Sequence, residues 1–349
     1  MQKLQKKIFR ARAPLRVSLA GGGTDIKAYF NTNKGAVLNF TISKYAYAEV
    51  KIIESLFIAK AIDLDIEVKV NISEHKNKNI NGENLFLHWQ TYKYMMGKHN
   101  NSQLLPAEIS TYCDAPIGSG LGSSSTLVVC MVKIWSEILN AGLDEYQIAE
   151  AAYEIERNIC KLEGGMQDHY SAAFGGVNFI EFENSKVVVH PLRIKNCFKS
   201  ELESSLVLHY CGSSRDSSNI IRDQIKVTLD NNNDRIKFLH KLKEIAYEMK
   251  THFLKGSISK IIELMNLGWS NKKETSQKIN NKNIQERIDL AFKFGAKSAK
   301  VSGAGGGGFI TFLVPPKQSI IVRNELNKFG TETFLATITE NGAECWVSY

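Results

Sequence analysis

Residues 114–126 read Asp-Ala-Pro-Ile-Gly-Ser-Gly-Leu-Gly-Ser-Ser-Ser-Thr, set between a strand-like run at 107–113 and an apolar helical run at about 127–139. Glycines 118, 120 and 122 leave the backbone uncovered, so that consecutive N–H groups can face an anion. The helix that follows adds unpaired N–H groups and the positive end of its dipole. Ser123, Ser124 and Ser125 supply hydroxyls for phosphate oxygens or a metal. The segment therefore predicts a strand–loop–helix unit that cradles phosphate. It is not a Walker A loop, because no Lys-Ser or Lys-Thr follows the last glycine. It is not a dinucleotide fingerprint either, since position 123 is Ser where GxGxxG requires Gly. A flexible loop ending in a serine N-cap is the plain alternative, but one proline, three glycines and three serines exceed what a cap needs.

Three further segments concentrate the same chemistry. In Pro14-Leu-Arg-Val-Ser-Leu-Ala-Gly-Gly-Gly-Thr-Asp25, alternation of strand type runs into a glycine cluster. Asp25 suits two sugar hydroxyls and Arg16 suits phosphoryl charge, although a glycine-rich turn capped by Thr24 or Asp25 would look similar. Residues 301–309 hold five glycines between positions 303 and 308, a density whose chain entropy implies close backbone approach to a ligand or to the first loop. In Glu163-Gly-Gly-Met-Gln-Asp-His-Tyr170, Asp168 follows a glycine pair, and Glu156 lies upstream in a predicted helix. Phosphoryl transfer needs one group to align or deprotonate the acceptor hydroxyl and a carboxylate to hold Mg²⁺.

The rest of the chain bounds the function class. With 349 residues it is longer than one hydrophobic core usually supports, which predicts two joined domains. Strands are expected at 8–19, 35–53, 64–72, 107–113, 176–192, 205–211, 297–302, 308–314 and 331–338. Helices are expected at 84–97, 127–139, 144–159, across much of 216–266 and near 317–328, and residues 270–283 read as a polar loop. Strands in both terminal thirds around a helical middle indicate an α+β fold. The net charge of +8 suits an anionic partner, yet no basic stripe or binding motif points to nucleic acid. Six scattered cysteines without a CxxC pair fit reduced thiols, and the lack of an apolar signal or membrane-length run predicts a cytoplasmic protein with no membrane partner. No GxSxG elbow or HExxH pair supports a hydrolase or zinc enzyme. Oligomeric state leaves no signal in the sequence.

The four segments, in this order, resemble the GHMP kinase superfamily over nearly the whole chain, from Pro14 to Phe309. PIGSGLGSSS is similar to the family's nucleotide loop, and KVSGAGGGGF to its C-terminal glycine loop. PLRVSLAGGGTD, GGMQDHYSAAFGG and LGWSNKKETSQKI resemble the branch that includes D-glycero-D-manno-heptose 7-phosphate kinases and bacterial fucokinase domains. The resemblance implies a two-domain fold, residues 1–205 and 206–349, with the nucleotide and substrate sites in the cleft between domains. It implies ATP as co-substrate, Mg²⁺ as cofactor, and transfer of the γ-phosphate to the anomeric hydroxyl of a heptose 7-phosphate. Related kinases acting on fucose, galactose or mannose, or a silent binding relative, are the alternatives. Pro116, Gly118, Ser119, Gly120, Leu121, Gly122, Ser123 and Ser124 would hold the triphosphate, and Ser124 with Glu156 the metal. Asp168 and Arg16 would be catalytic. Gly22, Gly23, Thr24, Asp25, Gly165, Gly303, Gly305 and Arg215 would face the substrate. The sugar's own phosphate has no visible motif; Arg215, Lys272 and Lys273 are candidates. Position 169 is His where Gln is more often expected, and a hydrogen-bonding role is its expected use.

Overall fold

The alternation at the start of the chain becomes strand β1 (Ile8–Ala20) in the computed structural model, which describes residues 7–72, 85–184, 186–212, 217–230 and 234–348. Beyond Ala13 every β1 residue is buried, Arg16 and Ser18 included, so both faces of this half are covered. Strands β2 (Gly35–Ile52), β3 (Leu56–Ala61), β4 (Ile66–Asn71), β5 (Ala107–Cys113), β6 (Val177–Glu183) and β7 (Lys186–Pro191) follow. Then come β8 (Leu206–Tyr210), β9 (Ser298–Val301), β10 (Phe309–Leu313), β11 (Thr333–Leu335) and β12 (Glu344–Ser348).

The first sheet runs β12-β1-β2-β5-β3-β4, with β6 on β2 and β7 on β6. Strand β2 is long enough to serve two neighbours: Gly35–Phe40 pairs with β6, and Ala46–Ile52 with β5. The β1–β2 register shifts between Pro14 and Arg16 and again between Ser18 and Ala20. Such irregularities re-aim side chains, and this one brackets Arg16. The second sheet is the antiparallel order β11-β8-β10-β9.

Helix Ser123–Ile138 is apolar nearly all round, with Val128, Val129, Met131, Val132, Ile134 and Trp135 fully buried. A helix of that kind must be covered on every side. Its burial fixes the glycine–serine loop at the helix start against the sheet. Helices Ile236–Lys255 and Ile258–Thr275 form a hairpin turned by Gly256 in the left-handed region, and they pack against β1, β2 and β9. One apolar cluster joins Leu15, Val17 and Leu19 of β1 to Met249 and Leu264 of this hairpin and to Leu206, Leu208 and Phe309 of the second sheet. The architecture is α+β, as expected.

The sequence reading left out several short elements, helices Lys27–Asn33, Gln167–Phe174, Asn196–Ser205 and Lys282–Lys293 and strand β3 among them, and three further details differ. The expected loop at 270–283 is helical as far as Thr275, because Trp269, Lys272 and Thr275 repeat at helical spacing and are buried. The helix at 144–159 is α-helical only through Tyr153; Glu154–Ile159 is a π-helical turn. Strand β12, not expected, joins the first sheet beside β1.

Candidate active site

A cleft of about 500 Å³ opens where the four glycine-bearing segments meet. Arg16, Gly23, Asp25, Gly118, Ser119, Gly120, Gly122, Ser123, Ser124, Glu156, Gly165, Asp168, Gly303 and Gly305 all line it. The Arg16 guanidinium is buried and donates from Nε and Nη2 to Asp168 Oδ1, both at 2.6 Å, and from Nη1 to Gly120 O at 2.5 Å. One arginine thus ties the carboxylate to the glycine–serine loop. A Cβ on Gly122 would lie 3.2 Å from Asp168 Oδ2, so the second carboxylate oxygen faces that loop across the cleft.

The two glycine loops interlock. Gly120 has φ +76°, and a Cβ there would sit 2.6 Å from Ser302 O; a Cβ on Gly303 would sit 2.8 Å from Gly120 Cα. No side chain fits between these backbones, which accounts for the glycine density at 303–308. Phe309 N donates to Ser119 O at 2.7 Å across the same seam. Leu121 is fully buried, Pro116 accepts from Ser119 N, and Thr24 spends its hydroxyl on Gly21 O and Ala36 O. These three support the loops, and none lines the cleft.

Glu156 enters from the π-helical turn and is buried. Its Oε1 accepts from Ser124 Oγ at 2.6 Å. Its Oε2 accepts from Ser125 Oγ at 2.6 Å and His169 Nε2 at 2.7 Å, with Arg157 Nη2 at 3.2 Å. Burial alone would raise this carboxyl; the charge of Arg157 and the hydrogen bonds from His169 and Ser124 override it and hold Glu156 well below the ordinary carboxylate range. His169 is therefore an anchoring donor through Nε2. Oε2 is held by three groups and Oε1 by Ser124 alone, so Oε1 and Ser124 Oγ are the oxygens free to meet a cation. Hard oxygen donors of this number suit Mg²⁺, which takes most of its remaining shell from phosphates and water.

On the opposite wall Asp25 is buried. Its Oδ1 accepts from Gly23 N at 2.9 Å and its Oδ2 from Gln167 N at 3.3 Å. A Cβ at Gly165 would fall 1.9 Å from Oδ2, so the carboxylate rests on that glycine. Lys272 Nζ donates to Gly303 O at 2.6 Å and lies 3.5 Å from where a Gly22 Cβ would be. Burial pushes this amine down to about 8, with Asp25 and Asp168 opposing the shift and Arg16 adding to it. Lys273 instead lies near the Trp269 ring, away from the cleft lining. Arg215 lies outside the described residues.

Sequence reasoning missed Arg157, Gln167 and Gln224, all of which line the cleft. Gln167 and Arg157 are immediate neighbours of Asp168 and Glu156, which was the available signal. Gln224 sits in helix Ser217–Leu229 with no motif around it.

The profile of the GHMP kinases N terminal domain matches residues 86–176, and that of the GHMP kinases C terminal matches residues 249–332. The chain is 36% identical to a D-glycero-alpha-D-manno-heptose 7-phosphate kinase of Campylobacter jejuni over 342 residues, spanning 97% of this chain and 99% of the relative. A crystal structure of a D-glycero-D-manno-heptose 1-phosphate kinase from Bacteroides thetaiotaomicron superposes with a TM-score of 0.81 at 34% identity, covering 98% of this chain and 99% of that one. Mevalonate kinase of Methanococcus jannaschii, at 22% identity and a TM-score of 0.76 over 95% of this chain and 98% of its own, shares the fold alone.

Proposed function

The chain belongs to the GHMP kinases, and from that premise we propose that it transfers the γ-phosphate of ATP to a heptose phosphate, with the anomeric hydroxyl of a heptose 7-phosphate as acceptor. The observation that carries the reading is the Arg16–Asp168 pair, fixed between the phosphate-cradling loop and the Asp25 pocket. Residues 118–124 hold the triphosphate through backbone N–H groups and serine hydroxyls, and Asp25 takes sugar hydroxyls. Ser124 Oγ and Glu156 Oε1 would hold Mg²⁺, which would supply charge neutralisation for the phosphates.

Asp168 Oδ2 orients the acceptor hydroxyl and takes its proton as the bond to phosphorus forms. With Oδ1 bound twice by Arg16, Oδ2 is the oxygen left to meet the acceptor. An anomeric hydroxyl, belonging to a hemiacetal and more acidic than an ordinary alcohol, makes modest demands on a base. Arg16 offsets charge on the transferred group. No helix among the described residues is long and apolar enough to cross a membrane, and the reaction needs ATP, so we place it in the cytoplasm.

The two relatives' names put the acceptor's phosphate on different carbons, C7 and C1. Either monophosphate would give the same 1,7-bisphosphate, so the starting sugar is what must be tested. ADP release is measured with ATP, Mg²⁺ and a panel of heptose 7-phosphate, heptose 1-phosphate, mannose 6-phosphate, fucose and galactose. Turnover with the 7-phosphate alone supports the proposal. Turnover with the 1-phosphate alone moves the acceptor hydroxyl to C7, and turnover with fucose or galactose alone refutes the heptose assignment.

A further inference from the structure

We propose that Lys272 is a catalytic residue whose ammonium group binds the phosphoryl oxygens in transit between nucleotide and acceptor, opposite Arg16. The inference rests on the kinase reading above and assigns a role that the glycine-loop motifs do not.

Position comes first. Lys272 projects from helix Ile258–Thr275 and is buried. Its Nζ is fixed to Gly303 O, and Gly303 abuts Gly120 of the nucleotide loop, whose carbonyl also binds Arg16. On its other side the same Nζ approaches Gly22, next to the Gly23–Asp25 turn that forms the acceptor wall. The ammonium group therefore sits on the seam between donor and acceptor. A ligand for a phosphate at the far end of the sugar would be expected further from the nucleotide loop.

Charge comes second. Arg16 and Asp168 neutralise one another as an ion pair, Arg157 is committed beside Glu156, and Asp25 adds an unpaired negative charge. Without Lys272 the side chains at the transfer point would carry net negative charge before any metal is counted. Lys300 of β9 is buried nearby but donates to Ser18 O, and burial together with Lys272 and Arg16 depresses it far below an ordinary lysine. Lys272 is thus the cleft-lining cation that no carboxylate directly pairs among the described residues.

Structural need does not explain it. Among the described residues the one hydrogen bond of its ammonium group is to Gly303 O. A neutral donor would satisfy that carbonyl without the desolvation that burying an ammonium imposes. Two N–H donors remain for a ligand. In the transfer, the bond from phosphorus to the ADP oxygen breaks and the bond to the acceptor oxygen forms. The acceptor proton passes to Asp168, and Lys272 keeps its own protons while offsetting charge on the non-bridging oxygens.

The test uses the full-length enzyme with heptose 7-phosphate, or with whichever panel sugar the wild type turns over. If the wild type prefers another sugar, the heptose reading fails and the Lys272 test proceeds unchanged on that sugar. Lys272→Met should lower kcat by about 10²–10³ while the Kd for MgADP changes by less than about threefold. Affinity for MgADP with aluminium fluoride, a mimic of the phosphoryl group in flight, should fall by a factor like that in kcat. The alkaline limb of the wild-type kcat/KM profile, which reports the free enzyme and is governed by this amine near 8 in the company of Arg16, Asp25, Asp168 and Lys300, should vanish in the variant. Lys272→Arg should restore part of kcat and also lack that limb. Lys272→Gln serves as a second neutral variant should Lys272→Met fail to fold. Unchanged aluminium fluoride affinity in a folded neutral variant overturns the proposal. So does a rise in acceptor KM with kcat intact, which would make Lys272 an acceptor-binding group only.

Discussion

Alanine substitution at two adjacent glycines separates the acceptor pocket from its surroundings. Neither Gly164 nor Gly165 has a positive φ, so alanine is free of backbone strain at both. At Gly165 the new methyl would start 1.9 Å from Asp25 Oδ2 and 2.5 Å from Cγ, where ordinary contact begins at 3.4 Å. The carboxylate must therefore retreat by about 1.5 Å, and it loses the donors Gly23 N and Gln167 N that fix it. Hydrogen bonds to a charged group contribute about 1.5–3 kcal/mol each, and partial rebinding to water leaves about 3 kcal/mol, or about a hundredfold in acceptor kcat/KM. At Gly164 the methyl would meet the Arg157 guanidinium, 2.3 Å from Nη2 and 2.4 Å from Cζ, so it presses on the group that holds Glu156 and not on Asp25. The assay is kcat/KM for the acceptor at saturating MgATP, with nucleotide Kd measured separately. Gly165→Ala should lose about a hundredfold with nucleotide affinity intact, whereas Gly164→Ala should keep acceptor KM within about fivefold of wild type and instead raise the Mg²⁺ concentration for half-maximal rate. Equal losses in both variants would mean that the loop backbone, not Asp25, was disturbed. Full activity in Gly165→Ala would remove Asp25 from acceptor binding.

Asp168→Asn should reduce kcat by about 10³ or more while MgATP still binds, as measured by single-turnover and equilibrium titration. Glu156→Gln should raise the Mg²⁺ concentration for half-maximal rate by about tenfold, and an unchanged metal titration would take Glu156 out of the metal shell. Lys272 is depressed from 10.5 to about 8, so its unfavourable burial is fully present below pH 8 and relieved as pH rises toward 10.5. Ligand-free Lys272→Met should therefore be more stable than wild type at pH 7, by up to about 3 kcal/mol in denaturant titration, with the gap narrowing between pH 8 and 10.5. A variant less stable at pH 7 would contradict that sign.

Local sequence made the loops legible because glycine clusters have few cheap explanations. The seam of Gly120 against Gly303 is the long-range contact that the density at 303–308 had suggested. Arg16 could be matched with a phosphate site, but its bond to Asp168 depends on a register shift in β1 that alternation does not reveal. Lys272 was named only beside Arg215 and Lys273 as a candidate for the sugar's own phosphate, because it lies in the polar run SNKKETSQK, which reads as solvated loop until packing turns the helix face of Trp269 and Thr275 inward. Arg157 was hidden by geometry, since regular helix spacing does not anticipate the π-helical turn that carries Glu156 and Arg157 into one cleft.

Strand β12 pairs Ser348 with Ile8 and Glu344 with Arg12, on the strand that carries Arg16 a few residues further along. During synthesis, therefore, β1 waits with one edge open until residue 348 has cleared the ribosome. An open edge is a template for other strands, and the nascent chain carries that exposure until β12 arrives. Removing β12 would leave every cleft residue named above in place, yet make the exposure permanent. The yield of soluble protein should then fall well before the chemistry does.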